Sequence, residues 1–191
     1  MAYDSTATKE RILAAAASEF AAHGVAGARV DRIAAQAKAN KRAIYDYFGD
    51  KNELFAAVLE RLMADLAEAV PPGDDDLAAY AGRLFDHHRA HPEALRLLMW
   101  EALELGGDRP VPGEAARTRH YQEKVRASRT PDDEDDPRDR LFLTLGLIGW
   151  TLAMPQLRRM VLGPDHSLDQ LRETIVQTVR ALPPAARDSS P

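Results

Sequence analysis

Residues 30–48, VDRIAAQAKANKRAIYDYF, leave this chain few ways to fold. Val30, Ile33, Ala34 and Ala37 fall at i, i+3, i+4 and i+7, the apolar stripe of a short helix. Lys38-Ala39-Asn40 breaks it, and Ile44, Tyr47 and Phe48 repeat the stripe in a second short run. Asn40 stands where its side chain can accept a backbone N–H of that second run. Two short helices joined by about three residues make a helix-turn-helix, and its second helix is sized for a DNA major groove. The outward side of that helix carries Lys41, Arg42, Ala43 and Tyr45, which can donate to phosphates or bases or let DNA approach closely. Ile44 and Phe48 define the buried stripe, so Tyr45 is expected to face outward. An ordinary helical corner with solvated charges would show the same local pattern.

The flanks narrow the choice. Upstream runs TKERILAAAASEFAAHGVAGARVDRIAAQA and downstream YFGDKNELFAAVLERL. The T-K-E-R-I-L start at Thr8, Phe20 and Gly24 closing that helix, D-R-I-A at Asp31, I-Y-x-Y-F at Ile44, and Lys51 followed by Leu54 and Phe55 together resemble the DNA-binding domain of the TetR family of one-component transcriptional regulators. The resemblance is close over about residues 6–60 and rests beyond them on length and helical pattern. It implies that Ala43 and Tyr45 occupy positions that touch DNA, and that Lys51 matches a basic residue contacting a phosphate. Three positions depart from the family pattern. Lys38 stands where glycine is usual, at the cost of strain if its φ is positive. Arg29 replaces a Ser or Thr cap and is read as a phosphate contact instead. Asp46 replaces a basic or polar residue.

Composition bounds the rest. The net charge of −5 argues against nucleic acid only until its distribution is considered. Residues 1–50 carry +1 and the remainder −6, and five basic residues (Arg29, Arg32, Lys38, Lys41, Arg42) stand against Asp31 alone within residues 29–42. With no cysteine there is no disulfide framework, thiolate metal site or cysteine nucleophile. His87 and His91 have the i, i+4 spacing of a helical metal pair but no HExxH context, and no metal is assigned. No G-x-S-x-G, phosphate loop or dinucleotide fingerprint is present, so neither an enzyme nor a cofactor is expected. No apolar run is long enough to span a bilayer and no secretion signal is visible, so a cytoplasmic protein without membrane contact is expected.

In chain order the pattern is helical throughout, with about nine helices, and the expected fold is all-α. A DNA-binding domain over residues 1–50 precedes a helical ligand-binding and dimerisation domain over 51–182, of which 51–70 is a linking helix. Residues 183–191, PPAARDSSP, read as a disordered tail. The helix from Lys51 should span roughly 30 Å. Residues 94–105 are apolar enough to expect burial on nearly all sides, and residues 130–137, TPDDEDDP, are an acidic loop. Pro155 should kink or end the hydrophobic stretch 138–161.

Behind the DNA module, Phe85, His88, Met99, Trp100, Leu103, Tyr121, Trp150 and Met154 are the candidates to line a cavity. Taken singly, each aromatic among them reads as plain core. The resemblance implies a small-ligand site, and these side chains suit an apolar or planar ligand. One short recognition helix reads too few bases, so a homodimer on a two-fold operator is expected. The spare apolar surface lies in the last two helices, at Leu141, Leu145, Ile148, Leu168, Leu171, Ile175 and Val179, unless these close the chain's own core. The expected function is a ligand-responsive regulator that binds double-stranded operator DNA and is released by a small molecule. The alternative is a helical ligand-binding or interaction protein with a vestigial DNA module.

Overall fold

A computed structural model describes residues 5–71, 76–106, 111, 113–127 and 137–182. Ten helices and no strand occur among them. The acidic residues 130–136 and the tail 183–191 lie outside the described residues.

By packing the chain forms two compact units, residues 1–65 with 93–114 and residues 66–92 with 115–191. In the first, α1 (Ser5–Gly27), α2 (Val30–Ala37), α3 (Lys41–Phe48), the first part of α4 (Lys51–Ala69) and α6 (Pro92–Leu105) share one core. Ile12, Phe20, Ile33, Ile44, Leu54 and Leu97 are its best-buried large side chains, and the Phe20 and Phe55 rings meet edge to face at 5.2 Å. The helix from Lys51 therefore begins inside the N-terminal core, not as a free linker. Helix α1 starts three residues before Thr8, which is buried and accepts from Arg11 Nη2 at 3.1 Å.

α1 holds α2 at both ends. Arg29, at the N-cap of α2, makes no side-chain cap, and its backbone N–H donates instead to Glu19 Oε1 at 2.9 Å. At the other end Arg11 Nε donates to the Ala37 carbonyl at 3.2 Å. An acid at the N-terminus and a base at the C-terminus each oppose the helix dipole. This explains how an eight-residue helix survives without a cap of its own.

Gly24, expected to close α1, instead breaks it at φ +67 and ψ 177. One further turn follows, and Glu104 of α6 caps it, accepting from Val25 N at 2.9 Å and Ala26 N at 3.2 Å. Trp100 Nε1 and Arg96 Nε both donate to the Ala21 carbonyl, at 3.4 and 3.1 Å. A Cβ on Gly24 would stand 3.0 Å from the Trp100 ring, so only glycine admits α6 this closely. Burial of α6 on nearly all sides is not what the structure shows. Leu95 and Leu97 are buried, Met99 and Trp100 are half-buried, and Leu103 is 77% exposed.

Lys38 closes α2 in the left-handed region, φ 51 and ψ 43, with its N–H on the Ala35 carbonyl and the Ala39 N–H on that of Ala34. The strain anticipated at this position is present. Lys38→Gly should raise the stability of the protein by about 0.5–1 kcal/mol, read as a higher midpoint in urea, because a β-carbon disfavours this conformation.

The second unit contains α5 (Leu77–Ala90), α7 (Glu114–Ala127), α8 (Arg138–Ala153), α9 (Pro155–Leu162) and α10 (Leu168–Ala181). Pro155 ends α8 outright, which makes ten helices where about nine are expected. α5 packs on α10 and α8, with Arg172 Nε on Asp86 Oδ1 at 2.8 Å and Arg89 paired with Asp169 along the first contact. A Ser167–Gln170 capping box starts α10. Leu141, Ile148, Ile175 and Val179 are all buried within the chain's own fold. They close its core against α5 and are not free to meet a partner, which corrects their assignment to a dimer interface. Leu145, Leu168 and Leu171 are half-buried.

Candidate functional site

α3 is the shortest path from sequence to a DNA-reading surface. Asn40 caps it as expected, Oδ1 accepting from Arg42 N at 2.9 Å. Only Ile44 of the helix is fully buried, while Tyr47 and Phe48 are half-buried against the N-terminal core. With Ile44 fixing the inner side, the outer side is set. Tyr45 stands 44% exposed, Lys41 and Arg42 are exposed, and Ala43 is half-buried.

Charges on this surface are partly engaged. Lys41 Nζ lies 2.7 Å from Asp31 Oδ1, and that carboxylate holds the Lys41 ammonium above its ordinary range. Arg42 Nε is 3.8 Å from Asp46 Oδ2, one helical turn away, with both groups open to water. Arg32 turns inward to Glu19, donating through Nε at 2.8 Å, and so leaves the outward basic set. Glu19 is buried and lowered below its ordinary value, chiefly by the Arg32 hydrogen bond and against the effect of burial. Arg29 and Lys38 are exposed beside α3. Lys51 is half-buried, its Nζ 3.4 Å from the Ala26 carbonyl on the turn that Glu104 caps. The sequence argument missed Glu19, Arg11 and Glu104, whose work is to hold this surface in place.

The candidates for a ligand site divide. His88 and Phe85 are buried on α5 and Tyr121 is half-buried on α7. Trp150, 57% exposed, and Met154 line an open apolar groove of about 190 Å³ with Leu157, Val161 and Leu171. Met99, Trp100 and Leu103 belong to α6, whose Trp100 serves the packing against α1. These three belong to the first compact unit and the other five candidates to the second.

Residues 12–58 match the family model described as bacterial regulatory proteins, tetR family, and residues 76–181 match that of the tetracyclin repressor-like C-terminal domain. The transcriptional repressor SCO4008 of Streptomyces coelicolor is 47% identical over 188 residues, 95% of this chain and 97% of that protein. The chain belongs to the TetR family. Family members bind operator DNA and small-molecule ligands and dimerise, and this one is a DNA-binding regulator of transcription. Among solved TetR-like structures, a transcriptional regulator of Streptomyces coelicolor, SCO4942, superposes with a TM-score of 0.74 at 38% identity, covering 91% of this chain and 96% of its own. AibR, solved with isovaleryl coenzyme A and operator DNA, shares the TetR fold with a TM-score of 0.62 at 19% identity over 90% of this chain and 97% of its own. No described helix is long and apolar enough to cross a membrane.

Proposed function

We propose that the protein is a repressor that binds a two-fold operator as a homodimer, places α3 in the major groove, and is released when a small molecule occupies the C-terminal helices. The observation that carries the reading is the outer face of α3, with Tyr45 and Arg42 bare above a helix pinned by Ile44 and capped by Asn40. Lys41 and Arg42 open that helix, where the positive end of its dipole adds to their attraction for phosphate, and Tyr45 faces the same side one turn along. Arg29 and Lys51 flank it as phosphate contacts, and Ala43 lets the backbone approach. The relative SCO4008 is itself a repressor. A vestigial DNA module is not favoured, because the Asn40 cap of α3 and its exposed face are intact.

The proposed dimer contact moves from the buried stripe of the last two helices to the exposed one. Phe142, Gly146 and Trp150 fall at i, i+4 and i+8 on α8, and Phe142 is 75% exposed. Met160 and Val161 extend the apolar surface along α9. Gly146 is the informative residue. A mid-helix glycine costs about 1 kcal/mol relative to alanine, and beyond its own helix none of the described residues lies within 4 Å of where its Cβ would be. A second copy crossing there would use the close approach that glycine permits. An isologous contact of this kind sets two recognition helices for half-sites about 34 Å apart.

The DNA reading is tested by gel shift on the DNA flanking its own coding region. Tyr45→Ala should weaken binding about tenfold or more with little change in melting temperature, since the ring is not part of the core. Unchanged binding, or a collapse of stability, would refute the assignment of that face.

A further inference from the structure

α5 and α7 enclose a polar cluster that neither the DNA module nor the dimer face uses. Tyr80, Leu84 and His88 repeat every four residues on α5, while His120, Tyr121 and Lys124 share one turn of α7. Lys124 is 3% exposed, Tyr80 5% and His88 7%. The Lys124 ammonium sits over the Tyr80 ring at 5.2 Å and the Tyr121 ring at 5.9 Å. No carboxylate pairs with it among the described residues, and burial alone draws it down to about 8. Burial likewise draws His88 down to about 4, helped by the nearby charges of His87, Lys124 and His91. The Tyr80 hydroxyl, His88 Nδ1 and His120 Nε2 are buried without a hydrogen-bond partner among the described residues.

Buried polar groups are normally satisfied and a buried cation normally paired. Here one cation and three polar atoms are buried on neighbouring helices, the ammonium close enough to act on both imidazoles; the ammonium can only donate, and the phenol and each imidazole can donate or accept. A buried ammonium with no carboxylate beside it among the described residues calls for an anion. We propose that this cluster binds the carboxylate of a small amphipathic acid, its oxygens accepting from Lys124 Nζ, Tyr80 Oη and an imidazole N–H while the apolar body lies along Leu84 and Phe85. The proposal rests on the reading of the C-terminal helices as the sensor and names the class of molecule sensed. Planar or apolar character alone does not then suffice, since an acidic head is required.

An unpaired buried ammonium opposes folding, so its replacement by an apolar side chain of similar length relieves the fold and removes the site. Lys124→Met should therefore melt higher than the wild type while losing acid binding. The probes are sodium decanoate and sodium 1-naphthoate, each beside its primary amide and its amine, titrated into the full-length protein by calorimetry. At least one acid is expected to bind ten times or more tighter than its amide. Lys124→Met should bring that acid to the level of the amide and leave the amide's own affinity unchanged. Acid and amide binding alike, tighter binding of the amines, no binding by either acid, or a Lys124→Met protein that melts lower without losing acid binding would each overturn the inference. Amides or amines that release DNA as well as the acids do would leave the repressor reading intact and remove this one. Acids that bind through Lys124 yet never release DNA would do the reverse.

Discussion

Gly146→Arg should convert the protein to a folded monomer and reduce operator affinity by about a hundredfold or more. The substituted side chain enters open space on α8, so the chain's own packing is not disturbed. Arginine is also a better helix former than glycine, and the melting temperature of the isolated protomer should not fall for local reasons. At the face shared by Phe142, Gly146 and Trp150, however, a charged side chain would stand where two α8 helices are proposed to cross. Loss of the dimer removes the second recognition helix from the same binding event, and an effective-concentration advantage of roughly 10²–10⁴ disappears with it. Sedimentation velocity reads the mass and anisotropy reads the affinity. A dimer of undiminished strength in Gly146→Arg would place the interface elsewhere.

Glu19→Ala should cost about 2–3 kcal/mol, read as a melting temperature roughly 5–10 °C lower. The carboxylate is buried and accepts both from Arg32 and from the Arg29 backbone N–H that starts α2. Its removal leaves that N–H orphaned and a half-exposed guanidinium without its partner. The figure is set at the lower end for a broken ion pair because water reaches Arg32. The pH dependence follows from the sign of the shift. Glu19 is held below its ordinary value of 4.5 in the folded chain, so its contribution is complete above about 4.5 and is lost as pH falls through the lowered folded value. The gap between wild type and Glu19→Ala should therefore be widest near neutral pH and close under acid. Because α2 carries α3, operator binding should weaken along with stability.

What was legible in the sequence is what depends on neighbours in the chain. The stripes of α2 and α3, the Asn40 cap and the break at Pro155 each involve residues within one or two turns, and each appears in the structure. The φ of Lys38 was left open, with only the family's usual glycine to suggest a positive value, and the structure supplies it. Long-range ties were not legible, since Glu19 meets Arg32 thirteen residues away and Glu104 meets Val25 seventy-nine residues away. Periodicity showed that α6 is apolar without showing which core it enters, and the packing of Trp100 on Gly24 was not legible from it. α8 posed a related problem. It carries apolar residues on two sides, and only packing separates Leu141 and Ile148, which face α5, from Phe142 and Trp150, which face out. Nor was the burial of Lys124 legible, since its ammonium meets the Tyr80 ring of another helix.

Ligand and operator are proposed to exclude one another through one protein, and thermodynamic linkage tests that proposal directly. A labelled operator fragment is titrated with protein in the absence and presence of a compound that binds the C-terminal helices, and the same compound is titrated into free and operator-bound protein. The two ratios must agree if the ligand-bound conformation is the one that reads DNA poorly, with a coupling on the order of 1–3 kcal/mol, or about 5–150-fold. A compound whose affinity is the same with and without operator, while the protein's affinity for operator is the same with and without compound, would contradict the claim.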